Sequence, residues 1–182
     1  MPSKETAVVI VAAGRGSRAG DGLPKQWRDL AGQPILARTV AAFAGFRRIV
    51  VVLHPDDMAE GLRLFQGKVT LVAGGPTRRA SVKNALEALD PDTISRVLIH
   101  DGARPLISAA VIGRVLAALD THPAAAPALP IADALWSGTD GRVTGLTPRH
   151  GLYRAQTPQG FHLTPILNAH QAFAGDAKDD VE

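Results

Sequence analysis

A chain of 182 residues, 46% hydrophobic and 20% charged, is long and apolar enough for one domain with a real core and too apolar for disorder. Its net charge of +3 is scattered, and its single tyrosine, Tyr153, is not interleaved with a basic run, so small anionic partners are expected and nucleic acid is not. The lack of cysteine excludes disulfides and thiolate metal sites. The polar start Met1 to Thr6 is no signal peptide, and no apolar run reaches the ~18 residues of a membrane span, so a cytoplasmic protein without a membrane partner is expected.

The first predicted element is an apolar strand from Ala7 to Val11. It runs into Ala12-Ala13-Gly14-Arg15-Gly16-Ser17-Arg18-Ala19-Gly20, a segment that closes at Leu23-Pro24-Lys25-Gln26. Glycines let backbone N–H groups approach phosphates closely, and Arg18 and Lys25 add cations where a triphosphate needs them. The same letters fit G-x-G-x-x-A, the dinucleotide fingerprint, and a glycine-rich turn can also be purely structural. A dinucleotide site needs an immediate helix, but Gly20, Gly22 and Pro24 interrupt one, and no acid ends a second strand about 20 residues on. A nucleoside triphosphate loop is the better reading.

Next, Leu36, Val40 and Phe43 share one face of a predicted helix, and Arg48 to Leu53 is a second strand. His54-Pro55-Asp56-Asp57 turns into a short helix, and Val69 to Val72 is a third strand. Val82, Ala85, Leu86 and Leu89 then form a helical stripe. Arg96 to His100 is a fourth strand, and Ser108 caps a helix carrying Val111, Ile112, Val115 and Leu119. A further strand is predicted within Ala124 to Pro130. From Asp133 to Gly151 the pattern becomes short and turn-rich, with Ser137 to Gly141 as a hairpin tip that has few core residues and projects toward a partner chain. Leu152 to Phe161 returns to the body, and a last helix starts near Thr164. Alternating strands and helices predict an α/β fold, a mostly parallel sheet flanked by helices.

Ligands of such sheets bind beyond the carboxyl ends of the strands. Polar groups stand at four such ends: Gly14 to Lys25, Gly74-Gly75 with Arg78 and Ser81, Asp101 to Arg104, and Arg154 to Gln159. Each has a plain alternative. Gly74-Gly75 can be a tight turn and Ser81 an ordinary first-turn helix residue. Asp101 can cap amides and Arg104 pair with it, Thr157 before Pro158 can be turn chemistry, and His100 can be a satisfied core residue. Their joint occurrence at strand ends favours a site.

The segments Ala12 to Arg18, Pro24-Lys25-Gln26, Gly74 to Val82, His100 to Pro105 and Ala155 to Gln159 occur in an order that resembles the 2-C-methyl-D-erythritol 4-phosphate cytidylyltransferases, over nearly the whole chain. The resemblance implies a Rossmann-like α/β fold, a homodimer joined through a protruding β-arm, and Mg2+-dependent use of CTP, with Mg2+ bound mainly through the CTP phosphates. Position by position, it implies that Ala12, Ala13, Gly14 and Gly16 hold the nucleotide and that Arg18 and Lys25 stabilise the transition state. It gives Gly75 and Ser81 to the cytidine, Asp101, Arg104 and Thr157 to the methylerythritol phosphate, and Arg149 on the arm to the neighbouring subunit's substrate. Pro76, Ala134, Trp136 and Asp179 depart from residues common at those positions. It further implies a C-terminal strand with a substrate-positioning lysine, which does not occur before Glu182. The ending Asp180-Val181-Glu182 resembles the bifunctional form in which a zinc-dependent cyclase domain follows. The expectation is a single nucleotidyltransferase domain over 1–182, β-arm included, lacking its C-terminal segment.

The implied reaction has a phosphate oxygen of the acceptor attack the α-phosphorus of CTP, with pyrophosphate leaving. Two other readings stand beside it. One is a nucleotidyltransferase for sugar phosphates or molybdopterin, which the Asp101 to Arg104 and Ala155 to Gln159 segments oppose. The other is a nucleotide-binding fragment without full activity.

Overall fold

The computed structural model describes residues 5–15, 22–173 and 180. In chain order the elements are β1 (Glu5–Ala12), β2 (Asp29–Leu30), β3 (Gln33–Pro34), α1 (Ile35–Ala41), β4 (Arg48–Leu53), α2 (Met58–Phe65), β5 (Thr70–Ala73) and α3 (Arg78–Glu87). There follow β6 (Ile94–Asp101), α4 (Ala109–Ala118), β7 (Ala124–Ala125), β8 (Ala128–Pro130), β9 (Leu135–Thr139), β10 (Arg142–Thr147), β11 (Tyr153–Ala155), β12 (Gln159–His162) and α5 (Leu163–Ala172). Short 3-10 turns occupy Lys25–Trp27 and Pro55–Asp57.

Among the described residues the main sheet has six strands in the order β5-β4-β1-β6-β12-β7. β5, β4, β1 and β6 are parallel, whereas β12 runs antiparallel to both β6 and β7. The central parallel strands β1, β4 and β6 are largely buried on both faces, which is why they read as apolar runs, whereas the edge strand β5 is only half-buried. Alternation still sorts their side chains. Ala7, Val9, Val50, Val52, Val97 and Ile99 face one cluster, with Val82 and Leu86 of α3 and Leu163 and Ile166 of α5. Val8, Ile10, Val51, Leu53 and Leu98 face the other, with Leu36 of α1, Phe65 of α2, and Ile112 and Val115 of α4. The sheet is therefore covered on both sides, as the α/β reading expects.

β1 is followed in the sheet by β4 on one side and by β6 on the other. At such a reversal the loops leaving the strand ends diverge and open a crevice.

Three parts of the chain differ from the sequence-based expectation. The strand expected within Ala124 to Pro130 is two strands, because Pro127 interrupts it: β7 joins the main sheet, while β8 pairs with β11. Leu152 to Phe161 likewise divides, with β11 forming the base of the arm and β12 entering the main sheet. The last helix begins at Leu163, in keeping with the expected start near Thr164. The arm itself is the antiparallel pair β9–β10. Its turn is narrower than Ser137 to Gly141, being formed by Asp140 and Gly141 with φ values of 50° and 75°. Two successive positive φ values suit the twist of a tight hairpin, and Gly141 meets that demand without a Cβ clash. The cap expected at Ser108 is present: its Oγ accepts from Val111 N at 3.3 Å.

Candidate active site

The crevice holds a cavity of about 660 Å3 lined by the segments that follow β1, β5 and β6, whereas the Arg154 to Gln159 segment does not line it. Ala12, Ala13, Gly14 and Arg15 come from the end of β1, and Lys25 and Gln26 from the 3-10 turn beyond it. Gly75 to Arg78 and Ser81 come from the β5–α3 junction, and Asp101 to Arg104 from the end of β6.

Small residues let these loops approach one another. A Cβ on Gly74 would lie 2.4 Å from Ala13 Cβ, and one on Gly102 would lie 2.8 Å from Ala12 Cβ. Backbone bonds lock the approach: Gly74 N donates to Leu53 O at 2.7 Å and Gly102 N to Val11 O at 2.9 Å. The buried amide of Gln26 donates from Nε2 toward Ala12 O at 2.9 Å and Gly14 O at 3.0 Å, so the residue after Lys25 pins the glycine turn. Thr77 caps α3 by accepting from Ala80 N at 3.1 Å, and this helix start, with its partial positive charge, opens on the cavity. Ser81 is buried, and its Oγ accepts from Gly75 N at 3.1 Å. It therefore shapes the glycine pair and is more than an ordinary helix residue.

The far wall is an ion-pair cluster. Asp101 accepts at Oδ1 from Arg78 Nη1 (2.8 Å) and at Oδ2 from Arg104 Nε (2.7 Å). Burial pushes the Asp101 carboxyl up, but the two guanidinium groups outweigh it and hold its pKa below the ordinary value. Burial works against the Arg78 charge, yet Asp180 and Asp101 together raise its pKa. Arg78 Nη2 donates to Asp180 at 3.1 Å, and the Asp180 side chain is only 3% exposed. Arg104 also donates from Nη1 to Gln156 Oε1 at 2.6 Å. Among the described residues, Lys25 is the cavity cation that has no carboxylate partner.

Behind Asp101 lies a buried relay. His100 Nε2 faces the Arg104 carbonyl at 3.0 Å, so this nitrogen carries the proton and Nδ1 accepts from Thr157 Oγ1 at 2.9 Å. Thr157 Oγ1 in turn accepts from Asp101 N at 3.4 Å. Desolvation lowers the His100 pKa, consistent with a neutral ring, which packs edge-on to Phe43 at 4.9 Å between centroids. His100 is thus the satisfied core residue that the plain reading expects, and it also sets the Asp101–Arg104 loop.

Of the residues expected from the sequence, Ala12, Ala13, Gly14, Lys25, Gly75, Ser81, Asp101 and Arg104 meet at this cavity. Thr157 is buried one layer behind it, with its hydroxyl engaged by His100 and Asp101. Arg149 stands on the arm, donating to Ala132 O, and does not line the cavity. Gly16, Arg18 and Asp179 lie outside the described residues. Sequence reasoning left out Gln26 and Asp180 as site organisers. A polar residue directly after Lys25 was a signal for the first; the second depends on a contact across the fold.

The family model for 2-C-methyl-D-erythritol 4-phosphate cytidylyltransferase matches residues 6–182. The chain is 68% identical over 176 residues to the bifunctional enzyme IspD/IspF of Rhodobacter capsulatus, covering 97% of this chain and 46% of that protein. It therefore spans about half the length of that relative. It is 60% identical to the 2-C-methyl-D-erythritol 4-phosphate cytidylyltransferase of Cereibacter sphaeroides, covering 97% of this chain and 81% of that one. Among solved structures, the 2-C-methyl-D-erythritol 4-phosphate cytidylyltransferase of Thermus thermophilus superposes with a TM-score of 0.82 at 34% identity, over 97% of this chain and 81% of that chain. On sequence and fold together, the chain belongs to the 2-C-methyl-D-erythritol 4-phosphate cytidylyltransferase family.

Proposed function

We propose that this chain transfers the cytidylyl group of CTP to 2-C-methyl-D-erythritol 4-phosphate and releases pyrophosphate, a step of isoprenoid biosynthesis. The observation that carries the reading is the position of Lys25: a cation with no carboxylate partner among the described residues, beside a glycine turn and lining the same cavity as an Arg–Asp–Arg cluster. Family membership supplies the identity of the two substrates.

In this reading a phosphate oxygen of the acceptor attacks the α-phosphorus of CTP. The new phosphorus–oxygen bond forms as the bond to the β-phosphate breaks, and pyrophosphate carries away the electron pair. The attacking oxygen is already anionic, so no side-chain base is required. The barrier lies in bringing anions together and in charge gathering on the α-phosphate. Lys25, together with Arg18, offsets that charge, and fixed groups aimed at developing charge are worth about 3–4 kcal/mol each. Ala12 to Gly16 hold the phosphates through backbone donors, while Gly75 and Ser81 face the cytidine.

Arg104 binds the acceptor phosphate, Asp101 fixes Arg104 and receives acceptor hydroxyls, and Thr157 steadies Asp101 from behind. Mg2+ fits this site as an ion held mainly by the CTP phosphates, because the Asp101 carboxylate in the cavity is engaged by Arg78 and Arg104. Bound there, Mg2+ supplies further neutralisation of phosphate charge.

A homodimer through the arm completes the proposal. Trp136, Val143 and Leu146 present apolar surface on the hairpin, and Arg149 at its base reaches the neighbouring subunit's acceptor. A cytoplasmic setting suits the cysteine-free chain, and among the described residues no helix is long and apolar enough to cross a membrane.

Pyrophosphate release tests the reading. CTP with methylerythritol phosphate is expected to give release, and CTP with other phosphorylated acceptors is not. CTP binding without release from any acceptor would support the nucleotide-binding fragment instead.

A further inference from the structure

Side chains from either side of the glycine-rich segment converge on one carboxylate beside the cavity. Asp57, in the 3-10 turn after β4, accepts at Oδ1 from Arg15 Nη1 (3.0 Å) and at Oδ2 from the Trp27 indole Nε1 (2.9 Å). Arg15 precedes residues 16–21, and Trp27 ends the turn that carries Lys25. One carboxylate therefore grips the chain at both ends of the segment. Arg15 also meets Asp56 Oδ2 and His54 Nδ1, each at 2.6 Å. Burial ranks these contacts: the Asp57 side chain is 14% exposed and that of Asp56 is 75% exposed, so Asp57 is the anchor.

Arg15 lines the cavity, yet its guanidinium is shared between two carboxylates and has little net charge left for a phosphate. Its work is mechanical. We infer that Asp57 is a positioning residue for the nucleotide loop, holding Arg15 and Trp27 so that the glycine turn and Lys25 are in place before a triphosphate arrives. Flanks held in advance, at Arg15 and at Lys25 to Trp27, do not lose that freedom on binding. The inference rests on the proposal that this cavity takes CTP.

The test is CTP affinity by calorimetry on the full chain and its variants, with pyrophosphate release measured in parallel. Asp57→Ala is expected to weaken CTP binding about tenfold, the usual scale for losing hydrogen bonds to a charged group, while the KM for the acceptor stays within about twofold. The sign discriminates. Were the two acids restraining an arginine meant for phosphate, Asp57→Ala would tighten CTP binding, and that result overturns the inference. Arg15→Met should weaken binding in the parent and add nothing in the Asp57→Ala background; an equal further loss there also overturns it.

Asp57→Asn keeps the shape of the side chain and removes its charge, which guards against a poorly folding Asp57→Ala, whereas Trp27→Phe removes the indole N–H together with part of the packed ring. Folded Trp27→Phe should bind CTP about threefold more weakly. Unchanged affinity in both Trp27→Phe and Asp57→Asn overturns the inference. A parent that binds CTP but releases no pyrophosphate refutes the transferase reading alone, since affinity still judges Asp57. A parent that binds no nucleoside triphosphate overturns both.

Discussion

The strand-end cavity and the β-arm are built on opposite principles. At the cavity the chain packs against itself: Ala12, Ala13, Gly74 and Gly102 bring the loops into contact, and Gln26, Ser81 and Thr157 are buried with their polar atoms engaged. On the arm, Trp136, Val143 and Leu146 are 69%, 61% and 73% exposed. The hairpin holds its shape through its own ladder and a turn at Asp140-Gly141, with little core beneath it. A two-stranded hairpin is marginal alone, and an exposed apolar arm is the feature on which the proposed homodimer rests. The contrast matches the division of labour in the proposal: the described cavity residues come from one chain, whereas the proposed homodimer would cover the arm's apolar face.

The sharpest way to break this division is to remove the charge from the cavity without touching the arm. Lys25→Ala is expected to lower kcat by about 100-fold or more, with the fold and the oligomeric state intact. Steady-state pyrophosphate release and circular dichroism check this together. Near-normal turnover would remove Lys25 from the chemistry.

The converse change strikes the arm alone. Trp136→Glu with Leu146→Glu should cost at least about 2 kcal/mol of association if these side chains are interface anchors. Sedimentation should then report a mass near 19.1 kDa in place of twice that value. CTP binding should survive while transfer falls. Loss of CTP binding in a folded monomer would show that the cavity is not self-sufficient.

A smaller effect probes the packing itself. Gly74→Ala forces a Cβ to within 2.4 Å of Ala13 Cβ and 3.0 Å of Ser81 Oγ, so the surrounding chain must shift. Overpacking of this kind costs about 1–3 kcal/mol, read as a lower midpoint in denaturant, and CTP affinity should fall with it.

The smallest effect concerns pH. Burial holds the His100 pKa below its ordinary 6.5 in the folded state, so the unfolded chain binds the extra proton more readily. The stability associated with neutral His100 is present above pH 6.5 and is lost as pH falls toward the depressed folded value. His100→Gln should flatten this part of the stability profile measured by denaturant titration between pH 7 and 5. A parent whose stability does not fall over that range would contradict the neutral, relay-bound ring.

The layered fold was legible because the strands carry their signature locally. Ala7 to Ala12 and Arg48 to Leu53 are β-branched runs punctuated by glycine or proline, and the helical stripes of α3 and α4 repeat at the right spacing. The backbone of the site was legible for the same reason, since ligand loops follow strand ends. What escaped depended on distance in sequence. Asp57 meets Arg15 and Trp27 across 42 and 30 positions, and Asp180 meets Arg78 across 102. No local pattern encodes such pairs. The division of Ala124 to Pro130 escaped for a related reason: short alanine-rich strands have weak propensity, and their partners β12 and β11 lie far along the chain.

The central claim is that the cavity carries out cytidylyl transfer, and one measurement meets it directly. Purified chain is mixed with CTP, Mg2+ and 2-C-methyl-D-erythritol 4-phosphate, and pyrophosphate is followed beside a Lys25→Ala control. The account predicts steady release that requires both substrates and drops by about 100-fold in the control. Release at the same rate without the acceptor, or undiminished in Lys25→Ala, would contradict it.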